Sequence, residues 1–360
     1  MKSSYGENLK LTIFGTSHGP EIGMTLEGVP AGLPVDTETL QAFLNRRAPG
    51  RNEWSTTRQE SDIPHFLSGL TNGMTNGETI HAVIYNENVH KSDYDEMKYI
   101  PRPGHADYTA WMKYGLDFDM SGGGPFSGRM TAPMCIAGGL CKQWLEKMGI
   151  HIGAHIIQIG MMQGEYFKLI NPELDKIGTD FPTLTSKAAE EITKTIAEAR
   201  EVGESVGGSI ECAVIGLPVG LGSPIFGGVE SKIAQIVYSI PAVKAVDFGQ
   251  GNAFCVACGS LANDCFTVEN GVVKTLSNNC GGILGGITNG MPVVFSATFK
   301  PTPSIAKPQK SVNLKTMEEV TIEIKGRHDP CIVPRAVPVV EAAAAIAIYD
   351  LMLGNDQNKR

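Results

Sequence analysis

Gly28-Val29-Pro30-Ala31-Gly32-Leu33 sits between an apolar strand-like stretch and a helix-like one, and Gly216-Leu217-Pro218-Val219-Gly220-Leu221 repeats that setting about half a chain later. Glycine and proline at matched positions mark a tight turn from strand to helix in both copies. A chain with 42 glycines and 21 prolines can produce such a match by coincidence, so two readings stand: chance similarity of turns, or two related strand–turn–helix halves around one core. Working outward, β-branched and alternating stretches predict strands over 9–14, 23–27, 79–85, 150–159, 209–215, 293–299 and 320–324. Apolar residues at helical spacing predict helices over 37–47, 127–148, 186–202, 229–240 and 337–353. Strands fall in adjacent runs, which fits an α+β sandwich of antiparallel or mixed sheets around central helices better than a doubly wound parallel sheet. No low-complexity linker interrupts the chain. A single domain over 1–360 follows, with any boundary between its halves falling near 150–205.

Composition narrows the function. Lys+Arg of 30 against Asp+Glu of 38 gives a net charge of −8, which argues against a general binder of nucleic acid or anionic membranes. An anionic ligand must then be held by a local cluster of cations. The residues from Met1 to Asn8 lack the apolar core of a signal peptide and the Arg-rich character of a transit peptide, so a cytoplasmic location is expected. The longest apolar run, 336–354, carries Glu341 and Asp350 and reads as a buried helix, with no membrane segment. The eight cysteines are expected as reduced thiols. Cys255, Cys258, Cys265 and Cys280 come closest to a metal set, but no second close-spaced pair completes four ligands, and 252–258 reads as a small-residue buried strand, so no metal is expected.

The chemistry-bearing residues gather in glycine-flanked clusters. Gly15-Thr16-Ser17-His18-Gly19 presents a histidine at the end of an apolar strand, and Arg102-Pro103-Gly104-His105-Ala106-Asp107 delivers a second on a Pro-Gly turn. Two such histidines suit acid–base work near neutral pH. Gly122-Gly123-Gly124-Pro125-Phe126-Ser127-Gly128-Arg129 runs into an apolar helix, where exposed N–H groups and Arg129 suit a phosphate. It matches neither the dinucleotide fingerprint nor the Walker loop. Gly281-Gly282-Ile283-Leu284-Gly285-Gly286-Ile287, Lys300-Pro301-Thr302-Pro303-Ser304 and Gly326-Arg327-His328-Asp329-Pro330-Cys331 again pair glycine or proline with charged and polar groups. With Arg46, Arg47 and Arg51 added, the pattern is that of a polyanion pocket, and residue chemistry alone reaches an enzyme acting on a small phosphorylated anion.

The clusters at Gly15–Gly19, Arg102–Asp107 and Gly326–Cys331 resemble, in order and separation, the three signatures of the chorismate synthase family. The similarity runs from about Gly6 to Leu353 and includes the arginine pair before Pro49-Gly50 and the Gly-Gly-Ile-Leu-Gly-Gly segment. It implies a β-α-α-β sandwich with an internal pseudo-twofold repeat, usually a homotetramer. The implied reaction is a shikimate-pathway step of aromatic amino acid biosynthesis: the anti 1,4-elimination of phosphate from 5-enolpyruvylshikimate 3-phosphate to give chorismate, using reduced FMN without net redox change. By the same resemblance His18, His105, Asp329 and Ser17 are the catalytic set. Arg47, Arg102 and Arg129 bind substrate. Ser127, Ala242, Gly285, Lys300, Pro301, Thr302, Pro303, Ser304 and Arg327 form the flavin cradle.

This sequence departs from the family pattern in places. Pro125 and Met130 replace a usual Arg and Glu, Glu53 stands where many members carry Arg, and Pro241 replaces a frequent Asn. NADPH at the same enzyme and an external reductase both remain open as sources of reducing equivalents, and the lack of an extra insertion favours the external one. Two alternatives compete with the lyase: an FMN-binding flavin reductase or carrier of the same fold, and a non-enzymatic assembly protein. The two intact histidines argue against the first.

Overall fold

Two antiparallel five-stranded sheets enclose a double layer of helices. The computed structural model describes residues 3–50, 54, 60–86, 98–324 and 329–358. In the first half, β1 (Ser4–Tyr5), β2 (Lys10–Gly15), β3 (Glu21–Glu27), α1 (Thr37–Arg47), β4 (His65–Ser68), β5 (Leu70–Thr71), β6 (Met74–Thr75), β7 (Ile80–Tyr85), α2 (Asp107–Tyr114) and α3 (Thr131–Lys147) follow in order. The second half runs β8 (His151–Ile159), β9 (Met162–Gln163), α4 (Ser186–Glu201), β10 (Gly208–Ile215), α5 (Val229–Val237), β11 (Val243–Phe248), α6 (Gly259–Ala262), β12 (Phe266–Glu269) and β13 (Val272–Thr275). It ends with β14 (Ile283–Leu284), β15 (Ile287–Thr288), β16 (Val293–Phe299), β17 (Gln309–Asn313), β18 (Glu318–Ile322) and α7 (Val333–Asn358). One sheet has the order β1-β2-β3-β7-β4 and the other, from its opposite edge, β9-β8-β10-β16-β11. Four strands correspond in position and connection, β2, β3, β7 and β4 with β8, β10, β16 and β11, while the outer β1 precedes its neighbour in the chain and β9 follows; α1 matches α5 and α3 matches α7.

The correspondence extends to single hydrogen bonds, which removes coincidence as the account of the repeat. Thr75 Oγ1 donates to the Pro30 carbonyl at 2.6 Å and accepts from the Leu33 N–H at 2.9 Å. Thr288 Oγ1 does the same with Pro218 and Leu221, at 2.6 and 2.9 Å. Both turns open on a glycine with φ of +85°, Gly28 and Gly216, where an added Cβ would lie 2.0 Å from the Asn8 carbonyl oxygen and 2.2 Å from that of Gly149. Only glycine tolerates that conformation and approach. The two threonines belong to a second matched pair, Met74-Thr75-Asn76-Gly77 and Ile287-Thr288-Asn289-Gly290, which sequence reading passed over.

The core lies between the sheets. Cys135 meets Pro338, Gly138 meets Ala342 and Trp144 meets Tyr349, so α3 and α7 run parallel in close contact. Ala342 to Ala345 and Ala347 are fully buried, and their small side chains permit that approach. One buried carboxylate clamps the layers. Glu341 on α7 accepts from Arg46 at 2.9 and 2.7 Å, from Lys142 at 2.8 Å and from the Ala154 N–H at 3.2 Å. Burial works to raise its carboxyl, but Lys142 and Arg46 outweigh it and bring it down to about 2. Near the end of α7, Asp350 accepts the N–H groups of Glu7, Asn8 and Leu9 and pins the segment before β2.

Several boundaries moved for identifiable reasons. The helix expected over 127–148 begins at Thr131, because the glycine triplet and Ser127 to Met130 form 3-10 turns ahead of it. The last helix begins at Val333 rather than at 337, since Pro334 falls in a first turn, where no N–H is needed. The strand expected over 320–324 is β18, paired only with β17. The buried strand expected over 252–258 is absent: Gly251–Val256 is a 3-10 turn, and Cys255 and Cys258 are exposed. Small size there reflects a surface turn rather than core packing. α7 is long and apolar enough to cross a membrane, yet 83% of its most apolar window is buried among the other helices and the sheets.

Candidate active site

The N-termini of α3 and α7, side by side because the helices are parallel, open onto one cavity of about 1240 Å³. Both helices therefore direct the positive ends of their dipoles into it. The β2–β3 turn, the end of α1, the turn before α2, the segment 238–244, the strap 300–304 and the first turns of α3 and α7 enclose it.

Ser17 and His18 lie on the β2–β3 turn, held by the Ser17 N–H donating to the Gly124 carbonyl at 3.3 Å. The glycine triplet has a role its sequence did not suggest. Gly122, at φ +59°, would place a Cβ 2.0 Å from His18 Cε1, so the first glycine of the triplet seats the imidazole ring. Across the cavity His105 Nε2 and Ser304 Oγ are 2.7 Å apart, and Lys300 Nζ donates to the Gly104 carbonyl. The second signature thus docks on the 300–304 strap. Burial and the neighbouring Lys244 push the Lys300 ammonium below its ordinary value. Ala242 also lines the cavity and holds φ at +76°, a conformation costly for a residue with a Cβ, while its carbonyl accepts from the Lys300 N–H at 3.0 Å.

The arginines divide into two kinds. Arg102 gives Nε and Nη2 to Asp107 at 2.7 and 2.8 Å in a buried bidentate pair, and Asp107 also accepts the Arg102 N–H at 3.0 Å. That pair builds the turn carrying His105. Arg47 and Arg129 instead share one carboxylate: Asp62 lies 3.3 Å from Arg47 Nη2 and accepts from Arg129 Nη1. Glu60 is 3.6 Å from Arg129 Nη2. Burial works to raise the Asp62 carboxyl, but Arg47 and Arg129 hold it below the usual range. Burial lowers the Arg47 guanidinium to about 10, with Arg335 and Arg129 adding to the effect against Asp62, so it stays charged at neutral pH. At 2% exposure its Nε has no hydrogen-bond partner among the described residues. A buried charged donor in that condition is open to an acceptor from a ligand or a water. Arg335, on the first turn of α7, donates to Asp329 and, through Nε, to the Arg47 carbonyl at 3.0 Å.

The cavity thus brings together Ser17, His18, Arg47, Arg102, His105, Ser127, Arg129, Ala242, Lys300, Thr302, Pro303, Ser304 and Asp329. Pro301 packs toward Gly207, and Gly285 sits in the β14–β15 turn; neither lines the cavity. Arg51, Glu53 and Arg327 lie outside the described residues. Sequence reading missed Asn86, Glu60, Asp62 and Arg335. Arg335 carried a legible signal, as a lone charge opening a long apolar helix. Among the described residues no group of three or more His, Cys, Asp or Glu side chains could hold a metal ion.

A family model described as chorismate synthase matches residues 9–353. The chain belongs to the chorismate synthase family. Chorismate synthase of Lancefieldella parvula is 42% identical over 98% of this chain and 96% of its own length. That of Korarchaeum cryptofilum is 44% identical over 96% of each. A crystal structure of chorismate synthase matches the fold with a TM-score of 0.78 at 30% identity, covering 97% of this chain and 93% of that one. Family membership makes the chain a chorismate synthase by function, a carbon–oxygen lyase of aromatic biosynthesis, and nothing in these similarities favours a flavin reductase or carrier.

Proposed function

We propose that the cavity carries out the anti 1,4-elimination of phosphate from 5-enolpyruvylshikimate 3-phosphate, with reduced FMN bound beside the substrate. The observation that carries this reading is the convergence of two histidines, Asp329 and the buried Arg47–Arg129 pair on one cavity at two helix N-termini. Its volume of about 1240 Å³ exceeds the roughly 300–1,000 Å³ usual for one small ligand. The lining fits a flavin as the second: Met134, Ile332, Ala336 and Val339 give an apolar wall for a ring system, and buried Thr302 Oγ1 has no hydrogen-bond partner among the described residues.

Arg47 and Arg129 bind the substrate's phosphate and carboxylates, with the helix N-termini adding to the field. Asp62 and Glu60 keep these cations aligned. His18, on its glycine seat, protonates the departing phosphate, which would otherwise leave carrying an added negative charge. His105, oriented by Ser304, would supply a hydrogen bond or a proton to the reduced cofactor. Asp329, fixed by Arg335, would help relay away the proton that leaves the substrate's C6, with Ser17 lining the same cavity. Lys300, Thr302, Pro303, Ser304, Ser127 and Ala242 hold the cofactor. Reduced FMN, when bound, supplies electron density to the allylic system without net redox change. Arg102 supports the His105 turn, a structural task beyond the substrate contact expected of it.

The working assembly in this reading is a homotetramer. Phe226, Val256, Leu261, Phe266, Val268 and Leu276 are exposed, with Phe226 at 89%, large apolar side chains that contact with further copies would bury. Anaerobic mixing of the protein, chemically reduced FMN and 5-enolpyruvylshikimate 3-phosphate tests the reaction. Phosphate and chorismate should appear one to one, with the flavin still reduced at the end. Flavin binding without phosphate release would support the carrier instead.

A further inference from the structure

The geometry points to Asn86 as a positioning residue that fixes the proton donor His18 relative to the anion-binding Arg129. Asn86 directly follows β7, and its backbone N–H and both side-chain polar atoms are spent on the site. Its backbone N–H donates to the Pro20 carbonyl at 3.0 Å. Its Nδ2 donates to the Gly19 carbonyl at 2.8 Å and to that of Thr16 at 3.3 Å, spanning the turn that carries Ser17 and His18. Its Oδ1 accepts from Arg129 Nε at 3.2 Å. The amide orientation is dictated by its partners, because carbonyls only accept and a guanidinium only donates. A single short side chain, at the end of an interior strand, thereby ties the acid loop of one element to the cation just before α3.

The bridge matters because the two groups act on one substrate group in the proposed reaction, on which this inference rests. The phosphate is gripped by Arg129 and protonated by His18, so their separation sets the length of the proton transfer. Displacements near 1 Å can cost on the order of 10²-fold in rate. Arg129 keeps Asp62 and Glu60 without Asn86, so affinity should change far less than turnover.

Two variants separate the halves of the bridge. Asn86→Ala removes both. Asn86→Asp keeps an acceptor for Arg129 but sets carboxylate oxygen against the Thr16 and Gly19 carbonyls. Both should lower kcat roughly 10- to 100-fold, with substrate Kd by calorimetry changing less than about threefold. Asn86→Asp should be at least as impaired as Asn86→Ala. A second readout needs no turnover: carbethoxylation of His18 by diethyl pyrocarbonate, followed by mass spectrometry, should be slowed by inorganic phosphate in the wild-type chain and much less in either variant. Folded variants with kcat within twofold of wild type, or with wild-type phosphate protection of His18, would overturn the inference. So would an active Asn86→Asp beside an impaired Asn86→Ala. A wild-type chain that releases no phosphate would count against the proposed reaction, while the protection experiment would still decide whether Asn86 couples the two groups.

Discussion

Gly122→Ala is the sharpest perturbation the site offers, because two accounts of the glycine triplet predict opposite kinetics. The added methyl would fall 2.0 Å from His18 Cε1 and 2.1 Å from Nδ1, against carbon contacts of about 3.5–4.0 Å at rest. The ring must retreat by more than about 1 Å, or the triplet must shift, and Ser17 Oγ at 3.1 Å blocks part of the escape. Alanine also meets φ of +59°, which costs about 1–2 kcal/mol in a left-handed conformation. Stability should therefore fall modestly, by a few degrees in Tm. Turnover should fall by roughly 10²–10³, since a misplaced general acid forfeits most of its contribution. If the triplet instead acted as an anion loop, the substitution would raise KM and spare kcat. The assay is phosphate release under anaerobic conditions with chemically reduced FMN, beside a melting curve. A folded Gly122→Ala with kcat within threefold of wild type would refute the seat.

The bidentate pair makes Arg102→Ala a stability variant first: leaving Asp107 buried without its partner should cost about 3–5 kcal/mol, read by urea unfolding. Glu341 gives an acid-sensitive clamp. Its folded value of about 2 lies below an ordinary 4.5, so its contribution, roughly 3 kcal/mol, is complete above about pH 4.5 and is lost as pH falls toward 2. The stability gap between wild type and Glu341→Gln, from urea unfolding, should be large at pH 6 and shrink steadily between pH 4.5 and 2.5.

The architecture was legible in the sequence because turns and periodicity are local. The 37–47 helix emerges with its expected bounds, capped by Asp36 accepting the Glu38 and Thr39 N–H groups and stopped by Pro49-Gly50. The 293–299 strand does likewise. Short hairpins such as β5–β6 and β14–β15 escaped, since two-residue strands carry no period. The Arg102 to Asp107 cluster was legible as a turn presenting His105, but its internal Arg102–Asp107 pair was not read from the sequence. What escaped was nonlocal. Asp62 and Asn86 acquire their roles only when α1, β7 and the start of α3 converge, and no spacing in the chain announces that meeting. The same applies to Gly122, whose neighbour His18 lies 104 positions earlier.

In the proposed reaction this cavity expels phosphate by protonation from His18. The direct measurement is single-turnover phosphate release by His18→Ala with pre-reduced FMN, after calorimetry has established its affinity for FMN and 5-enolpyruvylshikimate 3-phosphate. Affinities close to wild type with release slowed roughly 10²–10⁴-fold are expected. A folded His18→Ala that binds both ligands and releases phosphate at the wild-type rate would contradict the account.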